Sequence, residues 1–286
     1  MLAVKIILSL FAVISVVFFL WVAAIMPKLC KHPLTEKIKS VRYAHRGLFS
    51  HEDKIPENSL AAFSRAIEKG YGFELDVHLT ADKKLAVIHD SSLKRTAGVD
   101  IDISKVTYDE ISHCRLEGTN EKIPLLSEVL ELCQGRVPIM IEMKIDSGNA
   151  RELACELVSQ LHKYDGPYCV ESFYPDALIA LKKADESIMR GQLSCNIRRN
   201  DKQFSRLSNF ILKNLLTNFL TRPDFISYAW EDRGCVSFSM CRAMFSPSEF
   251  LWTVKDKKVL ETSERFGAGV IFDSFDPCDD PKNGNM

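Results

Sequence analysis

The chain has 286 residues, with 37 Lys and Arg against 38 Asp and Glu, 46% hydrophobic residues, 13 Gly and 11 Pro. This balance excludes a collagen, a low-complexity disordered chain and a many-span membrane protein, and the length supports an ample core. The charge is unevenly spread: residues 1–39 carry five Lys against Glu36, and the remainder carries 32 basic and 37 acidic residues, which argues against a nucleic-acid binder.

Ile6 to Met26 is a run of 21 residues without a charge, flanked by Lys5 and by Pro27-Lys28. At about 1.5 Å per residue it covers roughly 30 Å, the thickness of a bilayer's hydrocarbon core. The run predicts one N-terminal transmembrane helix. A cleaved signal peptide with Val22-Ala23-Ala24 as its cleavage site is the rival, although the apolar core is long for one. Lys28, Lys31, Lys37, Lys39 and Arg42 follow the span, so the positive-inside rule places the rest of the chain in the cytoplasm. The nine cysteines agree: they are odd in number, scattered and without a Cys-x-x-Cys pair, as expected of free thiols in a reducing compartment. Residues 1–39 thus read as an anchor with a basic juxtamembrane linker beside an anionic leaflet.

From Val41 onward, short apolar runs alternate with helical patterns. Strands are predicted at Val41–Ala44, Gly72–His78, Val137–Met143, Tyr168–Phe173, Ile188–Leu193, Phe225–Tyr228, Phe250–Val254 and Gly269–Phe272, with Leu85–Ile88 pairing beside the second. Helices are predicted at Ser59–Lys69, Ala150–His162, Pro175–Lys183, Phe204–Leu220, Val236–Phe245 and Lys257–Phe266. Eight strands mostly separated by helices, in about 245 residues, fit a (β/α)8 TIM-type barrel over 40–280. A doubly wound open sheet has the same alternation. Residues 90–124 form no strand–helix unit and read as a small insertion after strand 2. The tail 281–286 is expected to be disordered.

Four clusters fall at or beyond predicted strand ends: His45-Arg46-Gly47, Pro56-Glu57-Asn58-Ser59, Glu74-Leu75-Asp76 with His89-Asp90, and Glu142-Met143-Lys144. Residues i and i+2 of a strand face the same side, so Glu74 projects with Asp76 and Glu142 with Lys144. Three converging carboxylates repel unless a cation joins them. One divalent cation with oxygen ligands, Mg2+ or Ca2+, is the natural occupant. Arg46 and Lys144 suit a phosphate, and His45 and His89 can exchange protons near neutral pH. Together these groups describe phosphodiester cleavage. Taken singly, Glu74-x-Asp76 would be a solvent-facing stripe and Glu142-x-Lys144 an exposed pair, but Val137–Met143 is too apolar for an edge strand.

The stretches Ala44-His45-Arg46-Gly47, Pro56-Glu57-Asn58-Ser59, Glu74-x-Asp76, His89-Asp90, Leu93-x-Arg95-Thr96, Ile123-Pro124 ahead of Glu128-Val129-Leu130, Glu142-x-Lys144, Trp252-Thr253-Val254 and Asp273 resemble the glycerophosphodiester phosphodiesterase family in its bacterial type. The resemblance covers about residues 41–276. It implies a TIM-type barrel with an insertion after the second strand. It also implies metal-dependent hydrolysis of glycerophosphodiesters to sn-glycerol 3-phosphate and an alcohol. Carried over by position, His45 and His89 would be the acid/base pair, and Glu74, Asp76 and Glu142 the metal ligands. Arg46 and Lys144 would bind phosphate, Glu57 would brace the site, and Trp252 would wall the glycerol pocket. Ser59, Ala97 and Lys255 depart from the family's usual residues, the last at the substrate rim.

Two other functions fit parts of the sequence. A lysophospholipase D acting at the membrane surface would use the anchor and the apolar stretch Phe204–Leu220. A non-catalytic membrane-anchored binder would leave the histidines and carboxylates without a purpose. No obligatory protein partner is implied.

Overall fold

The computed structural model describes residues 1–146, 148–197 and 204–278, so the predicted tail 281–286 lies outside the described residues. Nine strands are formed among the described residues: β1 Tyr43–Ala44, β2 Gly72–Leu79, β3 Leu85–Val87, β4 Ile139–Met143, β5 Tyr168–Ser172, β6 Arg190–Ser194, β7 Phe225–Ala229, β8 Ser248–Val254 and β9 Gly269–Phe272. Eight of them are parallel and close into a barrel, because Tyr43 of β1 pairs with Gly72 of β2 on one side and with Ile271 of β9 on the other. The open-sheet alternative is thereby excluded. β3 stands outside the ring, antiparallel to β2 with Val87 opposite Val77.

The barrel forms because most of its strands are apolar on both faces, as a parallel sheet covered by helices requires. Tyr43, Met140, Cys169, Met189, Phe225 and Phe250 fill the interior at the N-terminal end of the strands. A Cβ on Gly269 would meet the Phe250 ring at 2.3 Å, so glycine leaves room for the aromatic layer. The short helix Thr35–Lys39 closes this end with buried Ile38, whose carbonyl accepts from the Tyr43 hydroxyl at 2.7 Å. Outside the ring, the helix Leu60–Glu68 starts at Ser59, whose Oγ accepts from the Ala62 amide at 3.1 Å. It buries Ala62, Phe63, Ala66 and Ile67, with the Phe63 and Phe73 ring centroids 4.7 Å apart.

Two helical expectations change. The stretch predicted as one helix over Phe204–Leu220 is two, Arg206–Lys213 and Asn218–Thr221, because Leu215 takes a left-handed φ of 56° that an α-helix cannot hold. The helix Leu126–Cys133, which follows the insertion, is not among the predicted helices. The insertion itself has a small core of Ile88, Leu93, Ile103, Ile111, Leu116 and Ile123.

The apolar N-terminal segment is a helix, Leu2–Ala24, with the length and composition of a membrane anchor or a signal sequence. Its last turn docks on the barrel: Trp21 Nε1 donates to Ser237 Oγ at 3.1 Å, and Ile25 is buried among Leu215, Ile226, Tyr228 and Phe238. Three of the basic residues after it pair with the barrel. Lys28 pairs with Asp224 at 3.0 Å, Lys39 donates to the Gly267 carbonyl at 2.7 Å, and Arg42 pairs with Glu264 at 2.7 Å. Asp224 and Gly267 precede β7 and β9, so these cations sit at the N-terminal end of the barrel. The docked turn carries the chain to that end before the lysines begin.

Candidate active site

The candidate residues meet at the C-terminal end of the strands. After β1 the chain turns through two left-handed residues, Arg46 at φ 56° and Gly47 at φ 81°. A Cβ on Gly47 would lie 2.8 Å from Ala62 Cβ, so only glycine lets this turn press against the helix Leu60–Glu68. The turn aims the Arg46 amide at Glu74 Oε2, 3.0 Å away, and the Arg46 guanidinium at Glu57 Oε1, also 3.0 Å away. Asn58 ties the helix entrance to the same place. Its amide donates to the Arg46 carbonyl at 2.9 Å and its Nδ2 to Asp76 Oδ2 at 2.9 Å.

Glu74 and Asp76 on β2 and Glu142 on β4 are buried, and each offers an oxygen within 4.8 Å of the others. Asp76 and Glu142 are register partners on adjacent strands. Lys144 is also buried, with Nζ 3.0 Å from Asp76 Oδ1 and 2.8 Å from Glu142 Oε1. This all-oxygen donor set fits a hard divalent cation, and Lys144 already neutralises part of its charge.

Each candidate histidine has a carboxylate at its Nδ1. His45 faces Asp273 Oδ2 at 3.3 Å, and His89 faces Asp90 Oδ1 at 2.6 Å. The carbonyl of His89 accepts from His78 Nε2 at 3.0 Å, and His78 Nδ1 meets Asp146 Oδ2 at 2.5 Å, which pins the loop after β3. Arg95 from the insertion joins both sides of the site. Its Nε reaches Asp90 at 2.6 Å and its other two nitrogens fork onto Glu57 at 2.6 and 3.0 Å. His45, Arg46, Glu74, Glu142, Lys144 and His89 share one cavity of about 300 Å³, which Trp252 also lines. The Trp252 indole N–H is buried and has no acceptor among the described residues. A larger groove of about 1030 Å³ leads away from His89, Lys144 and Trp252 along Phe173, Tyr174 and Phe204.

The electrostatics separate the acids. Burial, reinforced by Asp76 and Glu142, raises the Glu74 carboxyl well above its ordinary value. Burial also raises Glu142, to about 7, against the opposing pull of Lys144. Asp76 is equally buried, but Lys144, His89 and Arg46 together outweigh burial and hold it well below the usual carboxylate range. Burial and the nearby Lys144 lower the pKa of His89 despite Asp76 and Asp90.

The structure therefore brings all the sequence-selected residues to one end of the barrel. Several residues that shape the site were not selected. Glu171 on β5 is buried, pairs in register with Glu142, and is pushed up by burial and by the Glu142 charge. Its sequence signal was a lone carboxylate two residues after an interior cysteine in an apolar strand. Asp273, Arg95 and Asn58 belong to the motifs that carry the family resemblance, where none of them has a role of its own.

The family model for the glycerophosphoryl diester phosphodiesterase family matches residues 45–276. A lysophospholipase D of Rattus norvegicus is 33% identical over 147 residues, covering 47% of this chain and 46% of that protein. The chain spans about half the length of several such curated relatives it matches. A glycerophosphodiester phosphodiesterase of Caldanaerobacter subterraneus is 29% identical over 251 residues, covering 82% of this chain and 95% of that protein. The crystal structure of a glycerophosphodiester phosphodiesterase from Parabacteroides distasonis superposes with a TM-score of 0.63 at 25% identity, covering 82% of this chain and 92% of that one. With a family match over most of its length and a barrel shared with solved members, the chain belongs to the glycerophosphoryl diester phosphodiesterase family.

Proposed function

We propose that this protein hydrolyses glycerophosphodiesters to sn-glycerol 3-phosphate and an alcohol, with His45 and His89 as the acid/base pair. The observation that carries this reading is the single cavity of about 300 Å³ lined by both histidines, by Arg46 and Lys144, and by Glu74 and Glu142 of the carboxylate cluster. In this reading Glu74, Asp76 and Glu142 hold one divalent cation, Mg2+ or Ca2+, which would supply charge neutralisation at the phosphoryl oxygens. Arg46 and Lys144 bind the phosphate, and Glu57 braces Arg46. Trp252 walls the glycerol side and offers its unpaired indole N–H.

Asp273 and Asp90 orient the two imidazoles through Nδ1, which leaves Nε2 of each for proton transfer. One histidine takes a proton from the attacking hydroxyl and the other gives one to the departing alkoxide. A lysophospholipase D activity on lysophospholipids is the second reading. The long groove past Phe173, Tyr174 and Phe204 favours it, since a glycerol ester alone would not fill that space. The helix Leu2–Ala24 is read as an uncleaved single-pass anchor with the barrel in the cytoplasm. The odd number and scattered positions of the nine cysteines, with no Cys-x-x-Cys pair, support that side.

The test is release of choline from glycerophosphocholine and from lysophosphatidylcholine, with Mg2+ or Ca2+ and then with EDTA. Turnover should require metal and fall by about 10²–10⁴ in His45→Ala and in His89→Ala. Near-normal turnover by either folded variant would remove that histidine from the chemistry, and metal-independent turnover would remove the cation.

A further inference from the structure

The direction in which the apolar helix leaves the barrel bears on what the catalytic mouth faces. Trp21 meets Ser237 at the start of the helix Val236–Phe245, and Ile25, one turn later, meets Cys241, one turn further along that helix. The two helices therefore run in the same direction. The helix Val236–Phe245 follows β7, so it starts at the C-terminal end of the strands and descends to the other end. The next contacts agree: the Ile25 carbonyl accepts from Asn218 and the Met26 carbonyl from Arg222, both shortly before β7 begins. Residues 2–20 consequently project from the end of the barrel that carries His45, His89 and the carboxylates. They extend about 28 Å beyond it, enough to cross a hydrocarbon core.

A second feature rises on the same side. The Lys213 carbonyl accepts from the Tyr228 hydroxyl near the upper end of β7, and Asn209 holds the Ile197 backbone three residues past the end of β6. The helix Arg206–Lys213 thus climbs above the strand ends toward its own N-terminus. Leu207, 68% exposed, and Phe210, 58% exposed, lie one turn apart near its tip. Val236, 71% exposed, sits beside Ser237 where the apolar helix emerges. Phe204, just before the raised helix, lines the groove that begins at His89 and Trp252.

We propose that the catalytic mouth is held face-down on the bilayer that the N-terminal helix crosses, with Leu207, Phe210 and Val236 seated in its interface. The substrate is then a single-chain phosphodiester lipid drawn from that leaflet, its headgroup at the carboxylate end and its chain along the Phe173–Phe204 groove. Trp21 falls where the barrel meets the bilayer, the depth at which tryptophan anchors helices. An apolar helical tip dipping about 5–10 Å is the ordinary depth of interfacial binding. The inference rests on the reading of the first helix as an anchor and of the barrel as a phosphodiesterase.

Two measurements on the full chain in lysophosphatidylcholine-containing phosphatidylcholine vesicles test it. In the first, a photoreactive benzoylphenylalanine replaces Phe11, Leu207, Phe210 or Phe266 in turn, and adducts to labelled lipid are counted. Adducts at 11, 207 and 210 but not at 266, which precedes β9 at the opposite end, are expected. Adducts at 11 without 207 and 210, or adducts at 266, would overturn the proposal while leaving the anchor intact. No adduct at 11 would remove the anchor and the proposal with it. In the second, Leu207→Glu with Phe210→Glu should cut vesicle lysolipid turnover about tenfold and leave soluble glycerophosphocholine turnover unchanged. Equal turnover of vesicle lipid by variant and wild type would overturn the proposal. A wild type inactive on both substrates would instead sink the phosphodiesterase reading, which the cross-linking does not depend on.

Discussion

Lys144 Nζ stands 3.0 Å from Asp76 Oδ1 inside the barrel, and the same ammonium lies 2.8 Å from Glu142 Oε1. It is the buried cation that offsets the carboxylate cluster. Lys144→Met keeps the apolar stem but removes the charge, so the acids are left facing one another in a dry site. Breaking a buried ion pair from one side costs about 3–5 kcal/mol. A urea denaturation of the metal-free variant should lose stability on that scale. An unchanged midpoint would mean that Lys144 does not hold the cluster together.

The pH dependence of the metal-free protein follows from Glu142, whose carboxyl is pushed up to about 7 by burial. A carboxyl with a raised folded-state pKa stabilises the fold while it is protonated. That contribution is present at low pH and fades as pH rises through about 7. Glu74 is shifted in the same direction. Metal-free protein should therefore unfold more readily at about pH 8 than at about pH 6, and Mg2+ or Ca2+ should restore the loss most at the higher pH. Thermal midpoints across this range with EDTA and with each cation make the comparison. A midpoint that rises with pH in EDTA would contradict it.

The acid side of activity should report His89. Burial and Lys144 lower its pKa, while Asp76 and the Asp90 hydrogen bond oppose them. A base with a lowered pKa stays neutral further into acid, so the acid limb of kcat/KM should lie below about 6.5, the ordinary histidine value. Asp90→Asn withdraws a group that favours the imidazolium and should move the limb lower still. A limb that moves upward in this variant would rule out that electrostatic role for Asp90.

What could be read from the sequence divides along physical lines. Most of the eight parallel strands were legible because they are short apolar runs between turn signals, but their closure was not, since an open sheet has the same alternation and only the pairing of β1 with both β2 and β9 excludes it. Glu74-x-Asp76 and Glu142-x-Lys144 were legible because a period of two fixes which side chains share a face. Glu171 was not, since its partner Glu142 lies on another strand and only the register brings them together. The break at Leu215 was hidden by an apolar composition that suits either one helix or two. The docking of Trp21 on Ser237 joins residues 216 apart, and no local pattern encodes such a contact.

Glu57 carries the last expectation. It accepts from Arg46 at 3.0 Å and from both ends of the Arg95 fork, and these cations hold its carboxyl below the ordinary value although burial alone would raise it. Glu57→Gln removes the charge while keeping the shape, so Arg46 loses the partner that fixes its direction. Hydrogen bonds to charged groups contribute about 1.5–3 kcal/mol, which corresponds to roughly a 10- to 100-fold loss in kcat/KM. If Arg46 binds phosphate in ground and transition states alike, the loss should fall on KM, with kcat nearly unchanged. A variant with lower thermal stability but unchanged KM and kcat would reduce Glu57 to a structural support.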